Sequence, residues 1–280
     1  MLKLKQIIKK FIPPIITEFY HVRCKKYGFF GNYPNWQSAL ADSTGYNLPL
    51  ILEKVKQARL KVLRGEAVYE RDSVNFDKIK HSWPMVAALL WIAGQNNNRL
   101  NVLDFGGSLG TSYFQNLPFI KHLPEINWNI VEQQNFVKIG KELFSKNESL
   151  KFYPTIESCL FEQKPMVVIL SGVWQYLEKP YDMLEKIISL KIDYLLFDRT
   201  TFIAAGADRL TIQKVPPRIY EASYPAWFFN LEKFTDFFAG RYEIIADFAS
   251  LNKYYQPGDY LDLGDTVACE KGFLLKKQSL

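Results

Sequence analysis

The chain has 280 residues, enough for one large α/β domain or a small domain beside a medium one. Its 48% hydrophobic and 23% charged residues exclude a disordered chain, a collagen and a long coiled coil. Net charge is +6, from 35 Lys+Arg against 29 Asp+Glu, and several lysines stand at the chain ends, in Lys3, Lys5, Lys9, Lys10, Lys276 and Lys277. That mild, end-weighted excess argues against a nucleic-acid groove and suits a phosphate-bearing ligand or an anionic surface. Cys24, Cys159 and Cys269 are odd in number and far apart, as are His21, His81 and His122. A disulfide framework and a metal site are therefore not expected, and a reducing compartment, the cytoplasm, fits best.

Residues 1–16 place Leu4, Ile7, Ile8, Phe11 and Ile15 near helical spacing with lysines between, and Pro13-Pro14 then ends the pattern. This amphipathic helix either packs on its own protein or touches the inner face of the cytoplasmic membrane as a peripheral contact. It is not read as a signal peptide, because lysines interrupt the apolar run. Residues Leu48 to Leu63 read as an amphipathic helix, and Ser82 with Pro84 starts another through Ile92. The Asn96-Asn97-Asn98 run stops it and sets a boundary. Residues 1–97 are read as a helical N-terminal region, and 98–280 as the ligand-binding domain.

Beyond that boundary strands alternate with helices. Strands are expected at Leu100 to Phe105, Trp128 to Glu132, Leu150 to Tyr153, Met166 to Leu170, Tyr194 to Phe197, Tyr242 to Phe248 and Gly272 to Lys276. Helices fall at Phe136 to Phe144 and Tyr181 to Leu190. This alternation predicts an α/β fold, a Rossmann-like, seven-stranded, mainly parallel sheet with a final antiparallel hairpin.

The first strand ends in Asp104-Phe105-Gly106-Gly107-Ser108-Leu109-Gly110. A glycine turn at the carboxyl end of a parallel strand lets backbone approach a nucleotide-like ligand. From Gly106, the dinucleotide pattern G-x-G-x-x-G would fall on Gly106, Ser108 and Thr111, a poor match, and the lysine of a P-loop is absent. The pattern is acid-x-Gly-x-Ser-x-Gly. It resembles the first motif of class I S-adenosylmethionine-dependent methyltransferases, with Ser108 in place of the middle glycine. Glu132 closes the second strand, where a carboxylate can accept both hydroxyls of a ribose. The apolar strand from Met166 ends at Ser171-Gly172, with Gln175 and Tyr176 following. This resembles the fourth motif of small-molecule methyltransferases, without the histidine that many of them carry near that place.

Longer strings extend the likeness. Tyr69-Glu70-Arg71-Asp72-Ser73, Asn101 to Tyr113, Val131-Glu132-Gln133, Phe197-Asp198-Arg199-Thr200, Gln213-Lys214-Val215-Pro216-Pro217 and Ala222-Ser223-Tyr224-Pro225-Ala226-Trp227 look like one bacterial family of methyltransferases. That family is associated with surface-polysaccharide biosynthesis, and the resemblance covers roughly residues 48–276. It implies the class I methyltransferase fold, S-adenosyl-L-methionine as cofactor and a small-molecule or glycan acceptor, a sugar.

The expected cofactor residues are Asp104, Gly106, Gly107, Ser108, Gly110, Glu132 and Ser171. Arg71, Gln175, Arg199, Tyr220 and Tyr224 are expected to hold the acceptor. Asp198, the carboxylate directly after a central strand, is the candidate base, with Tyr176 as a second catalytic candidate. Glu70-Arg71-Asp72 also reads as a solvated charge run, and the rings around Tyr224 as core. Two other functions stay open: an NAD-dependent nucleotide-sugar oxidoreductase or epimerase, and a non-catalytic protein that keeps the fold. The first lacks a Tyr-x-x-x-Lys pair after the middle strands.

Overall fold

The computed structural model describes residues 26–45, 48–217, 219–250, 261–263 and 267–278. The helix expected over residues 1–16 lies outside them. The N-terminal part runs β1 (Gly28–Tyr33), α1 (Trp36–Ala41), α2 (Leu48–Leu63), β2 (Tyr69–Arg71), β3 (Val74–Phe76) and α3 (Trp83–Gln95). The alternating part follows as β4 (Arg99–Phe105), α4 (Thr111–Ile120), β5 (Glu125–Val131), α5 (Gln134–Leu143), β6 (Leu150–Tyr153), α6 (Ile156–Glu162) and β7 (Val167–Ser171). A 3₁₀ turn (Trp174–Tyr176) leads to α7 (Pro180–Ser189) and β8 (Tyr194–Ile203). The chain ends with β9 (Arg209–Val215), β10 (Ala222–Asn230), α8 (Leu231–Phe238), β11 (Tyr242–Ala249), β12 (Leu261–Asp262) and β13 (Val267–Lys277).

Seven strands lie in the order β6-β5-β4-β7-β8-β13-β11, and of these only β13 is reversed. This is the mainly parallel, Rossmann-like sheet with a final antiparallel hairpin that the sequence predicts. Its centre is the apolar strand β7, whose Val167, Val168, Ile169 and Leu170 are fully buried. Helix packing on both faces explains why β7 shows no alternation of polar residues. All seven expected strands are present. The alternating part begins within two residues of the Asn96–Asn98 run, where Asn97 and Asn98 adopt left-handed backbone.

The N-terminal part is not wholly helical. β1 joins the main sheet through β9, and β2 with β3 forms a separate hairpin. The β10-β9-β1 extension is antiparallel and attaches to β8 through Phe229 and Asn230 of β10. It was hidden in the sequence because Pro225 and the Pro216-Pro217 pair break the strand pattern. Pro225 is tolerated because β10 meets β8 only at Phe229 and Asn230, so no β8 ladder runs beside Pro225 to need its missing N–H. Ser82 does stand at the start of α3, but its hydroxyl makes no cap hydrogen bond.

Two contacts fix the segments that border the later cavity. Trp174 stacks on Phe229 with ring centroids 3.6 Å apart, and its indole N–H donates to the carbonyl of Pro180 at 2.9 Å. The 3₁₀ turn is thereby pinned to β10. The β2–β3 hairpin is held by Glu70, which pairs with Arg59 of α2 at 2.7 Å and accepts from the Thr111 hydroxyl at 3.1 Å. Both charged side chains are about 1% exposed, so the Glu70-Arg71-Asp72 string is not a solvated charge run. Removing one partner of a buried pair leaves the other charge uncompensated, at about 3–5 kcal/mol. Glu70→Gln is therefore expected to lower the melting temperature by roughly 10 °C, measured by circular dichroism. An unchanged melt would show that Arg59 finds another counter-charge.

Candidate functional site

The carboxyl ends of β4, β5, β7 and β8 open into a cavity of about 900 Å³. At β4 the chain turns sharply over its own last acidic residue. Gly106 and Gly110 are left-handed at φ 72° and 85°, and Ser108 between them is at φ 54°. Ser108 therefore occupies a backbone state in which glycine is the low-energy residue, so this position keeps the conformation of the motif's middle glycine without the glycine itself. A Cβ at Gly106 would stand 2.5 Å from Val173, and one at Gly107 would stand 2.5 Å from the Asp104 carboxylate. The turn is thus pressed between the β7 exit and a buried acid.

Asp104 is 1% exposed and accepts from the Trp128 indole at 2.9 Å. Burial pushes its carboxyl up to about 7, against the opposing effect of the indole hydrogen bond. Glu132, just past β5, accepts the Ser108 N–H at 3.3 Å on one oxygen and the Gln133 N–H at 2.8 Å on the other. It fastens the glycine turn to the second strand. Each of its oxygens keeps a lone pair for a hydroxyl donor.

Ser171 and Gly172 follow β7. Arg199 reaches across from β8, its Nε donating to the Ser171 hydroxyl at 3.3 Å and its Nη2 to the Ser171 carbonyl at 3.2 Å. Gly172 leaves the room this needs: a Cβ there would lie 3.1 Å from the guanidinium carbon. Burial works against the Arg199 charge, but the neighbouring carboxylates, Asp72 foremost, outweigh it and hold the group above its ordinary value. Gln175 donates to the Arg199 carbonyl at 2.8 Å. Tyr176 donates to the Gln213 side-chain oxygen at 2.8 Å and meets the Tyr224 ring edge-on at 5.3 Å. Burial raises the Tyr176 hydroxyl, so it stays protonated and serves as a donor, not as a base. The Tyr220 and Tyr224 hydroxyls lie 3.2 Å apart.

The fold therefore brings Asp104, Gly106, Gly107, Ser108, Glu132 and Ser171 onto one wall region, and Arg71, Gln175, Tyr176, Arg199, Tyr220 and Tyr224 onto another of the same cavity. Two expected residues are not on the wall. Gly110 caps α4, and its missing side chain makes room for Phe114 and Leu150. Asp198, 4% exposed, turns back to accept the Arg199 N–H at 2.9 Å, and that same N–H also reaches the Ser250 hydroxyl. Asp198 is thus placed to fix the Arg199 backbone, and the expectation that it acts as a base on a bound ligand does not fit its position. Asp72, Gln213, Lys214 and Glu270 line the cavity and were not expected. Asp72, Gln213 and Lys214 stand inside the strings that carry the family resemblance, whereas nothing in the sequence marks Glu270. Among the described residues there is no cluster of His, Cys, Asp and Glu able to hold a metal ion, and no helix long and apolar enough to cross a membrane.

No family model and no curated protein matches the chain. Solved structures with a similar arrangement include the N-terminal domain of EvdMO1 in the presence of SAH and D-fucose, 9% identical, with TM-score 0.48 over 83% of this chain and 98% of that one. An S-adenosylmethionine-dependent methyltransferase from Clostridium acetobutylicum is 12% identical, with TM-score 0.45 over 80% and 98%. The 1,6-didemethyltoxoflavin-N1-methyltransferase of Burkholderia thailandensis, with bound 1,6-didemethyltoxoflavin and S-adenosylhomocysteine, is 11% identical, with TM-score 0.40 over 81% and 88%.

Asp104 gives the site a pH signature. The folded protein keeps its proton to about pH 7, whereas the unfolded chain releases it near pH 4. Stability is fully present below about pH 4 and falls as pH rises through about 7, by on the order of 4 kcal/mol for this one group. Thermal melts between pH 5 and 8 should therefore lose stability with rising pH in the wild type and less so in Asp104→Asn. Equal slopes in the two proteins would contradict the assignment.

Proposed function

We propose that the chain is an S-adenosylmethionine-dependent methyltransferase acting on a small-molecule acceptor, and that this acceptor is a sugar of surface-polysaccharide biosynthesis. The observation that carries the reading is the joined pair at the carboxyl edge: a left-handed glycine turn after β4, bound through Ser108 to the Glu132 carboxylate after β5. The donor set suits the cofactor. Glu132 offers a carboxylate to a ribose diol, and Val131, Phe136 and Pro154 offer apolar surface to a purine, while Asp104, protonated in the free protein to about pH 7, offers a carboxyl that an approaching ammonium would draw toward its ionised form. S-adenosylmethionine supplies a methyl group already activated by its sulfonium.

The chain's own task is alignment, exclusion of water and management of one proton. Tyr176 and Tyr224 present ring surface, while Gln175, Gln213 and Arg199 present hydrogen-bonding groups, a combination suited to a sugar. When the acceptor is a hydroxyl, its proton must leave as the new C–O bond forms. Glu270, a carboxylate on the acceptor side of the wall, is the group we assign to take it. An NAD-dependent oxidoreductase is less well supported, because serine and threonine replace the later glycines of its fingerprint. Peripheral membrane contact through residues 1–16 of a cytoplasmic enzyme belongs to the same proposal and rests on their sequence pattern alone.

Calorimetry with S-adenosylmethionine tests the cofactor site. Glu132→Ala should weaken binding by at least about 10- to 100-fold, the effect of losing one hydrogen bond to a charged group at about 1.5–3 kcal/mol, and by more where both ribose hydroxyls are lost. Gly106→Val should abolish binding, with folding checked by circular dichroism. Unchanged affinity in both folded variants would reject the site.

A further inference from the structure

Among the described residues, the acceptor side of the wall carries the cationic side chains Arg71, Arg199 and Lys214 and the carboxylates Asp72 and Glu270. Arg199 is the most elaborately placed of them. It sits at φ 52°, in a bulge where Asp198 and Arg199 together face Gly272 of β13. Two of its nitrogens are engaged by Ser171, and the third, Nη1, meets Asp72 at 3.5 Å. That closest approach is longer than a good N–H···O hydrogen bond, so the pair does not form the two-pronged fork that arginine makes with a well-matched carboxylate. The pair is also reachable, with the Arg199 side chain 23% and the Asp72 side chain 42% exposed. Asp72 is delivered by the two-residue turn between β2 and β3, in which Asp72 and Ser73 are both left-handed, at φ 50° and 64°. Neither is glycine, so the turn is strained where it touches Arg199. The hairpin behind it is locked by the buried Arg59–Glu70 pair, so Asp72 is carried on a rigid base.

We propose that Arg199 recognises an anionic group on the acceptor, a carboxylate or a phosphate, and that the Asp72 carboxylate stands in for that group in the free protein. This deepens the methyltransferase reading and rests on it only for the nature of the acceptor, which becomes a sugar acid or sugar phosphate. The incoming oxoanion takes the fork geometry that Asp72 does not achieve, with Arg71 and Lys214 adding positive field on the same wall. Asp72 then moves to solvent, which its half-exposed position permits. Asp72 thereby sets selectivity: it holds the site closed to neutral ligands, which have no charge with which to displace it.

The test is ligand-observed NMR titration of the full chain with D-galacturonate, galactose 1-phosphate and D-galactose, each with and without S-adenosylhomocysteine. The wild type should bind at least one of the two acids several-fold tighter than galactose, and which acid wins identifies the anionic group. Asp72→Asn should tighten that acid's binding about 3- to 10-fold. Asp72→Gly, which removes the carboxylate and relaxes the left-handed backbone, should do the same and guards against misfolding of the first variant. Arg199→Gln should abolish the preference for acid over galactose. Acid binding that is absent, no tighter than galactose, or unchanged in both Asp72 variants would overturn the proposal. A parallel gain in S-adenosylhomocysteine affinity in the Asp72 variants would also overturn it, by giving the anion site to the cofactor. Absence of any S-adenosylhomocysteine binding would instead strike the methyltransferase reading, while the cofactor-free titrations still decide the role of Asp72.

Discussion

Strand β8 changes partners along its length, and the site exists because of that change. Up to Asp198 its edge pairs with β7, whose last residue, Ser171, lies opposite Asp198. From Phe202 onward the chain pairs with β10 instead. Throughout, β13 holds the other edge, with a bulge that sets Gly272 against both Asp198 and Arg199. A bulge adds one residue and sharpens the local bend. Between Asp198 and Phe202 the edge is therefore released from β7 and not yet taken by β10. The cavity opens at this gap, and Arg199 is the side chain the bulge turns into it.

The polar groups around the gap are held at some energetic cost. Among the described residues, seven non-glycine residues have left-handed backbone, and four of them, Asp72, Ser73, Ser108 and Arg199, lie at the cavity or in the turn above it. Such conformations cost about 1–3 kcal/mol each and persist where the surroundings over-determine them. Here the surroundings are specific. Glu132 holds the Ser108 N–H, Asp198 and Ser250 share the Arg199 N–H, and the Arg59–Glu70 pair anchors the hairpin that carries Asp72 and Ser73. Each strained position thus has a buried or half-buried polar partner, and those partners come from different segments of the chain.

Much of the fold was legible in the sequence. Apolar runs bounded by turn residues marked the central parallel strands such as β7, because burial on both faces leaves a continuous hydrophobic signal. The glycine turn and Glu132 were legible because their chemistry is local: a strand end followed by residues that permit left-handed backbone. The β10-β9-β1 extension was not legible, since β1 pairs with β9 across most of the chain, Pro216-Pro217 stands between β9 and β10, and β10 tolerates a proline. Asp198 shows the limit most clearly. The sequence places it at the end of an apolar strand, but the strand runs on to Ile203, and the bulge sends Arg199 to the cavity while Asp198 turns inward. Glu270 reaches the wall through the β13–β8 pairing, which no short-range pattern reveals.

We assign the carboxyl edge of β4, β5 and β7 as a site for S-adenosylmethionine. A crystal structure of the chain with S-adenosylhomocysteine tests it most directly. In that complex the ribose hydroxyls should lie on Glu132, the amino-acid end along Gly106–Ser108 and Gly172, and the open sulfur should face the wall formed by Tyr176, Arg199 and Tyr224. Density for the ligand elsewhere, or with its ribose away from Glu132, would contradict it.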